Sequence, residues 1–212
     1  MSAKEEILSR ITSALRDAPA PGPVPRGYRT ASDMPEAELI ELLVDRLEDY
    51  QAHVDVVAAP ELPATIAERL KDATSYVVPH GIDEAWLGDA ALADDSRRRI
   101  DAPGAVLSVA ELDGTGAVLT SSAVSIAESG TIVLDGSGDQ GRRAISLVPD
   151  HHVCVVPVSS IVRLLPEALP RLDITRPLTW ISGPSATSDI ELERVEGVHG
   201  PRQLDVIIVT GL

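Results

Sequence analysis

At 212 residues the chain is long enough for one generous domain or two small ones, with roughly 70% of its extended surface buried on folding. Acidic residues outnumber basic ones by 33 to 18, and both halves share the formal charge of -15, which argues against a nucleic-acid-binding surface. Hydrophobic residues reach 44%, which is not the signature of disorder, yet Phe is absent and only two Trp and three Tyr occur, so the core falls to Val, Ile, Leu and Ala.

The spacing of Ile7, Leu8, Ile11, Ala14 and Leu15 predicts a helix over 3–17, with Ser2 as its cap and Glu5 completing a capping box. The prolines of 18–29 then impose an extended strap, so the helix before it reads as a contact for another subunit or partner. Residues 1–30 are therefore assigned to a helix and Pro-rich strap, and 31–212 to a single α/β domain. A second helix is expected over 35–50, capped by Ser32 or Asp33, with Leu39, Leu42, Leu43 and Leu47 on one face. Strand His53–Ala58, helix Pro60–Lys71 and strand Ser75–Val78 follow, which is α/β grammar. Glu84–Leu87 reads as one helical turn ahead of a variable stretch ending in Arg97–Arg99.

From residue 105 the pattern becomes strand-rich. Strand cores are predicted at Ala105–Leu107, Gly116–Thr120, Ser122–Ala127, Thr131–Leu134, Ala144–Leu147, Val153–Val156 and Leu204–Val209, with a helix near Ser159–Leu169. The single cysteine, Cys154, sits inside one of these strands; it excludes an intrachain disulfide and reads as a small buried hydrophobe. No apolar run is long enough for a membrane span, and the N-terminus lacks an apolar leader, so a cytoplasmic location is expected.

Four polar clusters interrupt the apolar segments. Ala127–Thr131 is either a plain hairpin turn or a turn that presents the Glu128 carboxylate at a sheet edge beside Gly130. Gly136–Arg143 reads as an exposed basic loop or as an anion cradle built from three glycines, Arg142 and Arg143, without the order of a nucleotide-triphosphate loop. In Pro149–His152 the adjacent imidazoles should point to opposite strand faces, so a shared metal is not expected, and one of them suits proton transfer in a cleft. The stretch Leu178–Glu191 runs a short strand into Gly183, Ser185, Thr187, Ser188 and Asp189, explicable as helix capping or as a small-anion cradle; His199 lies just downstream between glycine-rich turns.

Taken together, Ser125–Leu134, with its Ala-Glu-Ser-Gly-Thr core, resembles the Ala-Glu-Thr-Gly-Thr motif of the lactate utilization (LUD) domain family. Gly141–Arg143 with Leu147–His152, Ile181–Glu191 and Val195–Pro201 resemble its later segments, and the short helical first half is similar to the shorter members rather than to the longer iron–sulfur member. Ser129 stands where the family more usually carries Thr and keeps the hydroxyl; Leu112–Gly116 departs from the family pattern.

This resemblance implies a Rossmann-like three-layer α/β sandwich of the NagB/RpiA/CoA-transferase type, and a role in oxidising L-lactate to pyruvate with two iron–sulfur partner proteins. The chain itself is expected to hold no cofactor or metal, the clusters belonging to the partners, and a homo-oligomer is allowed. By the same carry-over Glu128, Ser129 and Thr131 line a cleft beside Arg142, Arg143 and His151, while Gly183, Ser185, Thr187, Asp189, Glu191 and His199 form its other wall. Glu128 and His151 are the catalytic candidates. The expected role is a non-redox subunit or accessory protein that binds a small carboxylate such as lactate, or a group presented by its partners. The alternatives are an acyl- or CoA-transferase using Glu128 as nucleophile, and a structural scaffold.

Overall fold

The fold follows from where the chain breaks its apolar periods, and it is described by a computed structural model for residues 2–17, 22–93, 95–187, 195–197 and 200–212. Helix α1 (Ala3–Ala14) opens with the expected capping box: Ser2 Oγ accepts the Glu5 N–H, and the Glu5 carboxylate accepts the Ser2 N–H. Its apolar residues Ile7, Leu8, Ile11 and Leu15 stay at least half exposed. Helix α2 (Glu36–Asp49) buries Leu43 and Leu47 completely, each stabilising by about 1.5–3 kcal/mol. The anticipated cap is absent. Pro35 leads into α2 with its φ of -57°, and Ser32 instead accepts the Met34 N–H.

Strand β1 (His53–Ala58), a 3-10 turn at Ala59–Glu61, α3 (Leu62–Leu70) and β2 (Tyr76–Pro79) follow the predicted alternation, and Glu84–Leu87 forms the expected turn. Arg98–Asp101 is a strand, β3, rather than variable loop; as an edge strand it leaves Arg99 and Ile100 exposed, which removes the alternation that marks half-buried strands. The Ala105–Leu107 strand is not formed beyond one bridge between Ala102 and Ala105. Instead Ser108 and Glu111 make a capping box that starts α4 (Val109–Asp113). Strands β4 (Ala117–Thr120), β5 (Val124–Ile126) and β6 (Thr131–Leu134) come next.

Residues Ala144–Leu147 belong to a helix, α5 (Arg143–Leu147), not a strand, because Ile145 packs against Leu112 and Val118. Strand β7 (His151–Pro157) is followed by β8 (Ile161–Val162) and a short α6 (Leu165–Ala168), where one continuous helix had been expected. Pro166 explains that late start, since proline is tolerated only in the first helical turn. Strands β9 (Thr179–Ile181), β10 (Ala186–Thr187), β11 (Val195–Glu196) and β12 (Gln203–Thr210) complete the described elements.

Six strands form one parallel sheet in the order β1-β12-β7-β4-β2-β3. On one face Leu62, Ile66 and Leu70 of α3 pack against Tyr76, Val78, Leu119, Val153, Val155 and Ile207. On the other, α2 packs with Cys154, Val156, Val206 and Ile208, and the second sheet contributes Ile132 and Ile161. That second sheet runs β8-β5-β6-β9, with β5/β6 and β6/β9 antiparallel. Strands β10 and β11 pair separately. The result is a mixed α/β fold whose N-terminal helices precede the sheet strands.

Candidate functional site

The β5–β6 hairpin reverses through a 3-10 turn at Ala127–Ser129 and closes on Gly130 at φ +59°, a left-handed position that glycine tolerates best. Glu128 sits on this turn with its side chain 42% exposed. Its N–H donates to the Arg163 carbonyl at 3.1 Å, and its carboxylate accepts from Arg29 Nη2 at 2.8 Å, so the Pro-rich strap reaches the turn. From there three hydroxyls stand in series: Ser129 Oγ lies 2.8 Å from Thr131 Oγ1, which lies 2.9 Å from Ser182 Oγ. Helix α2 presses on both ends of this run. A Cβ on Gly130 would come within 2.8 Å of Arg46 Cβ, and one on Gly183, at φ +80°, within 2.5 Å of Tyr50 Cβ.

A cavity of about 210 Å³ opens beside Ser182, lined also by Ser146, His152, Thr179, Gly183 and Ser185. Ser185 is held by its N–H to the Pro201 carbonyl at 2.8 Å. His152 lies at the cavity's floor, 1% exposed, with Nε2 2.7 Å from Thr120 Oγ1. Burial, helped by the neighbouring charge of His151, pushes its pKa down to about 3, so the imidazole is neutral at physiological pH. Behind it Cys154 is fully buried; desolvation pushes its thiol up to about 12 against an opposing hydrogen bond from Thr120.

The other site residues expected from the sequence are distributed differently. His151 faces the opposite side of β7, as adjacent strand residues must. Its Nε2 lies 3.0 Å from Asp205 Oδ2, and it lines a separate cavity of about 570 Å³ with Arg69, Asp72, Asp150 and Arg202. Burial by itself would raise the Asp205 carboxyl, but hydrogen bonds from His151, Gln203 and His53 outweigh it and hold the group below its usual range. Arg142 does not present a free fork: Nε and Nη2 each meet an Asp101 oxygen at 2.9 Å, and Nη2 also donates to the Leu107 carbonyl. Arg143 begins α5 and is exposed.

Arg142 lines a third cavity, of about 350 Å³, with Gly136–Gly138, Gly141 and His80. It lies past the ends of β2 and β3, where the Gly81 N–H donates to the Gly138 carbonyl at 2.9 Å. His80 is the residue the sequence reading missed, and its signal was the His-Gly pair directly after a strand. Thr187 lies in β10, paired in register with Val195. Asp189, Glu191 and His199 lie outside the described residues. Among the described residues no group of three or more His, Cys, Asp or Glu is placed to hold a metal ion, and no helix is long and apolar enough to cross a membrane.

Comparison with known proteins converges on one family. The LUD domain matches residues 40–209. Lactate utilization protein C of Deinococcus radiodurans is 46% identical, across 98% of this chain and 95% of its own length. The protein of the same name from Macrococcus caseolyticus is 32% identical over 85% of this chain and 82% of its own length, and that of Bacillus subtilis 41% identical over 43% and 41%. The crystal structure of a DUF162 family protein from Deinococcus radiodurans superposes with a TM-score of 0.69 at 40% identity, covering 83% of this chain and 99% of that one. The glycine-closed Glu128 turn and the hydroxyls that follow it thus sit within the matched region of a chain that belongs to the LUD domain family.

Proposed function

We propose that this chain is a non-redox component of an L-lactate utilization system, acting in the cytoplasm with two iron–sulfur proteins that carry the electrons. The observation that carries the reading is the series Ser129–Thr131–Ser182, which links the Glu128 turn to the 210 Å³ cavity at Gly183 and Ser185. A three-carbon hydroxy acid fits such a space, and hydroxyl donors suit its carboxylate. Glu128 would handle the proton of the substrate hydroxyl while Arg29 balances its charge. Because the chain is acidic overall, binding depends on local donors rather than long-range steering.

Family membership and the relatives' shared name support the lactate assignment. The parallel six-stranded order with helices on both faces supports a Rossmann-like, NagB/RpiA/CoA-transferase-type arrangement, and the strap up to residue 30 is assigned as an appendage to the domain that follows. A single cysteine in the whole sequence cannot supply the several thiolates that hold an iron–sulfur cluster, so the clusters are assigned to the partners. Reconstitution with the two partners tests the reading. Thr131→Val, which breaks the hydroxyl series, should lower lactate-dependent electron transfer by about tenfold or more while leaving the fold and partner binding intact. Full activity without this chain, and no binding to either partner, overturns it.

The half-exposed Glu128 carboxylate favours a second reading, CoA transfer. Glu128 would attack a thioester carbonyl, releasing the CoA thiolate and forming a mixed anhydride. A hydroxylamine-sensitive adduct at Glu128 after exposure to a CoA thioester would establish that reading.

A further inference from the structure

A fourth cavity, of about 180 Å³, lies between the start of α2 with the segment that leads into it and the β8–α6 corner, lined by Ser32, Met34, Leu39, Arg163, Glu167 and Arg171 among others. Arg163 is unusual within it. The other half-buried arginines, Arg69, Arg97, Arg98 and Arg142, each meet a carboxylate within 4.0 Å. Arg163 meets none among the described residues; its Nη1 reaches only Ser32 Oγ, at 3.4 Å, and its Nε is buried without a partner. Glu167 brings one negative charge to the same cavity, but its two oxygens accept the Ser32 and Leu164 N–H groups at 2.9 and 2.8 Å, and among the described residues it makes no ion pair with Arg163. Arg171, on the exposed side, contacts only the Ser159 carbonyl.

With two guanidiniums against the single carboxylate of Glu167, the cavity keeps a net positive charge in a chain of net charge -15, and a bound anion would balance it. The remaining wall, from Met34, Leu39 and Val162, is apolar. We propose that this cavity binds a small aliphatic carboxylate, its head on Arg163 with Arg171 beside it and its alkyl end against Met34 and Leu39. The Arg163 carbonyl accepts the Glu128 N–H, so an occupied site would brace the Glu128 turn from behind. The proposal stands apart from the lactate reading, since it uses none of the residues of the Ser182 cavity.

Calorimetric titration of the full chain with propionate, and separately with inorganic phosphate, tests it. Propionate should bind one to one, Arg163→Gln should weaken it by about tenfold or more, and Arg171→Gln by about threefold. Should Arg163→Gln fail to fold, Met34→Trp fills the cavity from the segment leading into α2, keeps the guanidinium, and should abolish propionate binding. Propionate binding that survives both Arg163→Gln and Met34→Trp overturns the proposal, as do preference for phosphate and absence of binding at tens of millimolar. Loss of propionate binding in Thr131→Val alone would place it in the Ser182 cavity and overturn this proposal while leaving the lactate reading standing.

Discussion

Substituting Gly183 by alanine probes how tightly α2 is seated on the candidate site. Two effects combine there: a side chain at φ +80°, and a Cβ placed 2.5 Å from Tyr50 Cβ and 2.9 Å from its carbonyl oxygen. Gly104 separates them, because it has nearly the same φ, +85°, with nothing within 4 Å of its missing Cβ. Gly104→Ala should therefore cost only the left-handed strain, about 1 kcal/mol. Gly183→Ala should add an overpacking cost of about 2 kcal/mol, since backbone cannot swing away as a flexible side chain can. The gain from a stiffer unfolded chain is common to both substitutions and cancels. Thermal unfolding followed by circular dichroism should then show midpoints lowered by about 3 °C for Gly104→Ala and about 9 °C for Gly183→Ala. Equal shifts would refute the claim that α2 rests directly on the Gly183 turn.

Acid should destabilise the protein through His152: the folded state keeps it neutral down to about pH 3, whereas the unfolded chain takes up its proton below the ordinary value of 6.5. Between those limits the unfolded chain binds more protons, so stability falls as pH falls, by at most about 1.4 kcal/mol per unit from this group. Asp205, whose carboxyl is depressed, adds a loss of the same sign as pH drops through its folded pKa. Denaturant titrations of His152→Gln should show a flatter dependence than the parent over that window; an unchanged slope would refute the assignment. Cys154 should resist thiol-specific reagents in the native state and react fully in denaturant, since its buried thiol titrates only near pH 12. Rapid native labelling at neutral pH would contradict its burial.

The sequence announced most of this architecture where period and length agreed. Thr131–Leu134 is a four-residue apolar run bounded by turn residues, and it is strand β6. Ala144–Leu147 has the same look, yet a short apolar run fits a helix equally well, and packing against Leu112 and Val118 decided for helix. The start of α4 was written in Ser108 and Glu111, an unread capping box. The site was legible only piecewise. Thr131 does meet both Ser129 and Ser182, the neighbour of Gly183, but Arg142 is claimed by Asp101, 41 residues away, and no local pattern encodes that pairing. Arg163 gave no signal in sequence because what distinguishes it is the ion pair it does not make among the described residues.

Strand β1 has a single neighbour in the main sheet, β12, and their paired residues His53 and Asp205 are 152 positions apart. During synthesis β1 emerges with both hydrogen-bonding edges open and stays so until residues 203–210 leave the ribosome. Loops of that length close slowly, and an open edge is a template for pairing with other chains. The nascent protein thus passes through an interval in which its sheet is incomplete and both edges of β1, rather than the one left open in the finished sheet, are available to other chains.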